Sequence, residues 1–476
     1  MLFKKILSDS LIYTIGPQLP KIASIFILPI ITPYLTSNDY GIAGIILAYT
    51  TLLGALSDLG FSVLMMNSFY NYKLKWRHYW GQYHFYLSIW SIIYSILMGG
   101  LLFFIMPVEA EKNKLLIISF FVVPALFFNV TTIIATRYYQ YSSKPFYISS
   151  VSAFVGVLAV ILNLVTIVYY KMGYLGWFFS NFVASLITFL FYLYPVYFKY
   201  KIWPIFRFRK AFLKKSLMIS LPLLPHNYSA FLLNTSDRVV MERMHVPTGE
   251  IGKYNLAYTF GGYLEFFGNA IGMAIGPIYT SMFSNKSIES ARSIKFLTNF
   301  LQVCFLFISV IISVWCKEIF SVLIQNKSLN QVYPIAIIII MGYAYRPYYW
   351  TAITRLQYSE QTKDLWKITF VAGILNVILN IIFIPIYGIV AAALTTYCCL
   401  MYMGFAGYFL KSFKKVETEK YNPLTFILLI IIATVLTFLI KDLRVLYKSI
   451  ITLFLCLLFF FFVSKNKKKL FEIKFS

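Results

Sequence analysis

Two basic residues lie where a membrane-crossing chain should carry none. Lys21 falls inside the apolar run Leu11–Leu35, among Pro17, Pro20, Pro29 and Pro33; Arg346 falls inside Tyr343–Trp350, beside Pro347. A Lys or Arg at the bilayer centre costs roughly 2.5–3.5 kcal/mol on insertion scales, so each needs a polar cavity or a partner. One reading makes them fixed cations of an anion site in a transport path, Arg by bidentate bonds and Lys as a point charge. The competing readings are that Lys21 snorkels to the surface and that Arg346 pairs with Glu265 to hold helices together.

The remaining candidates are of three kinds. Glu265 and Asp58, the latter expected towards the periplasmic end of the second span, are acids that could exchange protons or bind Na⁺ during a transport cycle; each could equally cap a helix or pair with a cation. His226 follows Pro222-x-x-Pro225 as Lys21 follows Pro17-x-x-Pro20. It reads either as a second, partly titrating cation or as a neutral donor. Tyr345 and Tyr349 flank Arg346 and combine ring contact with hydrogen bonding, which suits sugars. Asp237 and Arg238 are adjacent, so a helix points them to different faces, and they read as structural or gating residues. No Walker A motif, Ser/His/Asp arrangement or metal-ligand cluster appears, and no cofactor is expected.

The elements that must position these residues are membrane helices. Of 476 residues, 60% are hydrophobic and only 12% charged, with mean hydropathy +0.74. This is an all-α polytopic membrane chain of about 14 transmembrane helices by the ~20-residue criterion. The first six spans are Leu11–Pro33, Gly41–Met65, Tyr83–Met106, Leu115–Thr136, Phe146–Tyr169 and Gly173–Tyr197. The next six run Ser216–Val240, Gly252–Met282, Ile294–Cys316, Tyr333–Thr354, Leu365–Ile386 and Gly388–Leu410, and Tyr421–Ile440 and Val445–Val463 close the chain. The net charge of +25 concentrates in alternate connections, including both termini and the basic segment Phe198–Lys215. The positive-inside rule therefore puts both termini in the cytoplasm and makes the excess a topology signal with attraction to membrane lipids, not a nucleic-acid site.

Weak internal echoes divide the chain. Thr136-Arg137 precedes Asn163 much as Thr354-Arg355 precedes Asn380, each Asn being followed by a Gly-containing turn (Gly173; Gly388). LAYT occurs at Leu47–Thr50 and again at Leu256–Thr259. In consistent order they predict a parallel repeat: a six-helix bundle over 1–200, a basic cytoplasmic linker over 201–215, a second six-helix bundle over 216–412, and two additional helices with a basic tail over 413–476.

Three stretches carry a resemblance: Asn376–Thr396 (NVILNIIFIPIYGIVAAALTT), Asn38-Asp39-Tyr40-Gly41, and Ser236-Asp237-Arg238 followed by Ile251–Ala257. They resemble the polysaccharide-exporter branch of the multidrug/oligosaccharidyl-lipid/polysaccharide (MOP) exporter superfamily, and the chain looks like a bacterial O-antigen or related lipid-linked oligosaccharide flippase. The resemblance implies two bundles in a V shape and alternating access. It also implies an undecaprenyl-pyrophosphate-linked glycan as cargo, moved from the cytoplasmic to the periplasmic leaflet of the bacterial inner membrane. On that reading Lys21, Arg346 and His226 would hold the pyrophosphate, Tyr345 and Tyr349 the glycan, and Glu265 or Asp58 would couple transport to H⁺ or Na⁺. The polysaccharide polymerase or assembly machinery is a further expected partner. A drug or cation antiporter of the same superfamily, which would want an acid-rich cavity, is the alternative; a polyprenyl-donor glycosyltransferase or polymerase, which would want a long catalytic loop, is the third.

Overall fold

The computed structural model describes residues 19–72, 74–142, 144–221, 224–285 and 287–472. Among these residues there is no β-strand. The helices are α1 (Leu19–Tyr34), α2 (Ser37–Gly54), α3 (Phe61–Asn71), α4 (Trp76–Ile105), α5 (Val108–Tyr141), α6 (Phe146–Tyr169) and α7 (Tyr174–Lys199). They continue with α8 (Lys210–Ser220), α9 (Leu224–Asn234), α10 (Ser236–Arg243), α11 (Thr248–Ser284), α12 (Ile288–Val314) and α13 (Cys316–Leu323). The last are α14 (Tyr333–Gly342), α15 (Arg346–Tyr358), α16 (Trp366–Phe405), α17 (Pro423–Ile440) and α18 (Val445–Glu472).

Eight stretches among the described residues are long and apolar enough to cross a membrane as they stand. The other expected spans are shorter among the described residues, interrupted or less apolar: α1, α2 with α3, α8 to α10, α11, and α14 with α15. One stretch, Trp366–Phe409, is two spans joined. Gly388 turns the chain there at φ 57° and ψ −139°, and hydrogen bonds Asn376 to Thr396 and Tyr402 to the Lys367 carbonyl mark an antiparallel hairpin. Gly173, between α6 and α7, has nearly the same backbone, φ 54° and ψ −133°. That region of φ/ψ is essentially open to Gly alone, so the two echoed glycines make one turn twice. Helix α1 runs unbroken through Pro29 and tightens only at Thr32–Tyr34.

The chain divides into two compact units, Met1–Phe231 with Pro247–Gly252, and Leu232–Val246 with Lys253–Ser476. In the first unit Asp39 explains the Asn-Asp-Tyr-Gly motif. Its carboxylate accepts from the Thr36 amide at 2.7 Å and from the Tyr174 amide at 2.9 Å, capping α2 and tying it to the start of α7. Tyr40 packs edge-on against Trp177. Gly41 meets the Thr248 carbonyl, and Gly252 the Ser37 carbonyl, too closely for either to carry a Cβ. The basic segment 201–215 is not a free linker. Ile202 is buried, the Ile205 amide donates to the Gly81 carbonyl at 2.9 Å, and Phe212 stacks on Tyr83.

In the second unit the terminal pair α17–α18 is fastened by polar ties. Lys448 is fully buried and reaches both carboxylate oxygens of Glu318 at 2.8 Å. In the turn between the two helices, Asp442 accepts from Lys317 and Tyr333, which hold its carboxyl well below the usual carboxylate range.

Candidate functional site

Arg346 sits at a break in its span. A single 3₁₀ turn, Tyr343–Tyr345, ends α14, and Pro347 occupies the first turn of α15, where its missing N–H is harmless. The break aims the guanidinium across at α11. Nη2 donates to Glu265 Oε1 and Nη1 to Asn269 Oδ1, each at 2.7 Å. Glu265 and Asn269 are one helical turn apart and so present a joint acceptor pair. Arg346 is buried, whereas the Glu265 side chain keeps 24% of its surface exposed. Arg346 Nε is buried with no hydrogen-bond partner among the described residues, and so is the Tyr345 hydroxyl. Both atoms hold unused hydrogen-bonding capacity at the break. Tyr345 lies under the guanidinium, 5.5 Å from its ring centroid, and meets the half-buried Tyr349 edge-on.

From this pair a chain of hydrogen bonds crosses the second unit. Tyr343 donates to Glu265 Oε2 and to the Tyr258 hydroxyl. Tyr258 in turn donates to Asn234, whose carbonyl accepts from Arg238 Nη1 at 2.7 Å. Arg238 pairs with Asp237 at 2.7 Å and lies 4.0 Å over the Tyr258 ring. Asp237 also accepts from Tyr254, which reaches Thr396 and hence Asn376 and Asn380 of the α16 hairpin.

Asp237 and Arg238 therefore do not point apart. The chain breaks at Thr235, so Asp237 stands in the first turn of α10, where its carboxylate folds back onto the Arg238 amide and side chain. An acid there is favoured by the exposed amides of a helix N-terminus. Both residues are buried.

Asp58 is a turn residue. It sits between α2 and α3, accepting from the Gly60 amide at 2.9 Å and from the Ser62 hydroxyl. Ser62 accepts from Arg137 at 2.9 Å, so Asp58 is near the Arg137 end of the unit and remote from the Asp39 end. Lys21 is exposed on α1, its carbonyl accepting from Ser24 at 2.7 Å; it belongs to the first unit and Arg346 to the second. The backbone of His226 lies in α9, but its side chain is outside the described residues, as are Pro17 and Pro222.

Sequence reasoning missed Asn269, Tyr343, Tyr258, Asn234 and Tyr254. Asn269 was readable as the residue four after Glu265, but the tyrosines were hidden among 38 of their kind.

A family model described as "Polysaccharide biosynthesis protein" matches residues 6–283, more than half of the chain. The chain belongs to that family. A search of curated protein sequences finds no significant match. Among solved structures, an inward-facing multidrug resistance MATE transporter of the MOP superfamily aligns at TM-score 0.60 and 12% identity, covering 86% of this chain and 93% of that one. The lipid II flippase MurJ aligns at TM-score 0.54 and 16% identity, covering 94% and 97%. A MOP-superfamily transporter from Pyrococcus furiosus, described by a reversed polarity of its binding pocket, aligns at TM-score 0.58 and 12% identity, covering 87% and 94%. The polysaccharide biosynthesis family member thus has the fold of the MOP exporters and is a multi-pass membrane protein.

Proposed function

We propose that this chain flips an undecaprenyl-pyrophosphate-linked oligosaccharide, an O-antigen or related surface-polysaccharide unit, from the cytoplasmic to the periplasmic leaflet of a bacterial inner membrane. The observation that carries the reading is the joining of a polysaccharide-biosynthesis family match to the fold of a lipid II flippase. Both termini are cytoplasmic, and the chain is organised as two six-helix bundles with two additional helices.

The Arg346–Glu265 pair supports a specific mechanism. At rest the carboxylate neutralises the guanidinium, so the buried charge costs little and the unpartnered Nε marks spare donor capacity. A pyrophosphate is a stronger and bidentate acceptor for Arg than one carboxylate. On arrival it takes Arg346 from Glu265, and the freed, partly exposed carboxylate then picks up H⁺ or Na⁺, linking cargo to an ion gradient. Lys21 adds a second cation in the first unit. The reading is tested in a host lacking its own flippase but supplied with the matching glycan pathway. Expression of the chain should move glycan to the surface, and Arg346→Ala or Lys21→Ala should abolish this at equal membrane abundance. Surface glycan unchanged in both variants would overturn the cation roles; lipid-linked glycan retained by the wild type would overturn the flippase.

A further inference from the structure

The first unit holds a cavity of a different character from the charged network of the second. It is an open cleft of about 510 Å³ lined by α2, α4, α5 and α7, within the roughly 300–1,000 Å³ usual for small-molecule sites. Its polar lining is Thr50, Asn129, Thr132, Asn181, Ser185 and Thr188, and no charged residue borders it. Tyr94 and Phe128 supply aromatic walls.

The hydrogen bonds inside the lining define what it can still offer. Thr50, Thr132, Ser185 and Thr188 each donate their hydroxyl proton to a backbone carbonyl of their own helix. Their oxygens are left as acceptors. Neither the Asn129 nor the Asn181 amide has a side-chain hydrogen-bond partner among the described residues, so each offers an NH₂ donor and a carbonyl acceptor. Asn129 is set by a deliberate irregularity: Pro124–Phe128 is a π-helical turn closed by the Asn129 amide on the Pro124 carbonyl. Such single-turn bulges rotate the following side chain and recur at functional sites. Asn129 is half-buried and Asn181 exposed, each in a helix of span length, where an uncommitted polar group is costly unless used.

We infer that this cavity is a subsite for a neutral sugar ring of the cargo glycan. A sugar hydroxyl both donates and accepts, which matches threonine oxygens that only accept beside amides that do both. The aromatic walls suit the apolar face of the ring. The lining carries no charge to pair with a phosphate. The inference rests on the flippase reading and names the part of the cargo that this unit holds.

The test uses the full chain in a host whose glycan it exports, with Asn129→Leu and Asn181→Leu made singly and together. Binding is read separately by saturation-transfer NMR in nanodiscs, using as probe the oligosaccharide released by acid from that host's lipid-linked precursor. Two lost hydrogen bonds at about 1 kcal/mol each predict a loss of more than about tenfold in binding and export for the double variant. Its melting temperature should stay at the wild-type value. Wild-type export together with undiminished export or binding in the double variant overturns the subsite alone. A wild-type chain that exports nothing overturns the flippase reading and this inference with it.

Discussion

Two regions, the cavity of the first unit and the charged network of the second, spend their polar groups in opposite ways. In the second, Arg346, Glu265, Arg238 and Asp237 are all committed: each charge faces an opposite one at 2.7 Å, and tyrosine hydroxyls join the pairs. In the first, the cavity between α2, α4, α5 and α7 is lined by uncharged groups, and its two asparagine amides have no side-chain hydrogen-bond partner among the described residues. A committed network stabilises its unit and can act only when something displaces a partner. An uncommitted lining contributes little to stability and is ready for a ligand as it stands. The difference predicts that substitutions in the second unit harm folding and function together, whereas those in the first separate the two.

The largest effect should come from Asp237→Ala or Arg238→Ala. Each leaves a buried charge without its partner, at a cost of roughly 3–5 kcal/mol. Thermal unfolding in detergent should register this as a marked drop in melting temperature, with removal of both charges milder than either alone. Tolerance of both single variants would mean that the pair is not the anchor described. Glu265→Gln and Arg346→Gln come next. A hydrogen bond to a charged group is worth about 1.5–3 kcal/mol, and the exposure of Glu265 lowers that further. A double-mutant cycle should return a favourable coupling, and transport should fall in all three variants; additive losses would deny the pair.

The repeated turn gives a sharper contrast. Gly173 and Gly388 share a backbone conformation that costs other residues about 1–3 kcal/mol. A Cβ at Gly173 would also stand 2.6 Å from Asp39 Oδ1, whereas at Gly388 it would meet open space. Gly173→Ala should therefore lower the melting temperature more than Gly388→Ala, and the reverse order would contradict the account of Asp39 as a tie between α2 and α7. The smallest effect is expected of Asn129→Leu, within about 0.5 kcal/mol in stability.

Much of the fold was legible because apolar runs of span length are a strong signal and the two glycine turns sit at matching places. The interruptions were less legible. The break around Asp58 depends on Leu59 and Gly60 adopting positive φ, at 48° and 72°; Ser57, Asp58 and Gly60 are turn formers, but the apolar residues on either side read as one continuous span. For the site, the Arg346–Glu265 pair was one of two readings open from the sequence, and the geometry supplies it directly. The Asp237–Arg238 pair was misjudged because helical spacing was applied to residues at a helix start, where side chains fold back. The cavity in the first unit was invisible: its residues come from four helices, and threonine or asparagine in a span announces no shared pocket.

Reconstitution tests the central claim most directly. The purified chain would be placed in sealed liposomes carrying a lipid-linked oligosaccharide in both leaflets, and the fraction reached by an externally added, membrane-impermeant glycosidase would be followed over time. The account predicts that the protected inner-leaflet pool becomes accessible with wild-type protein and stays protected with Arg346→Ala. Persistence of the protected pool with folded wild-type protein, under either proton or sodium gradients, would contradict it.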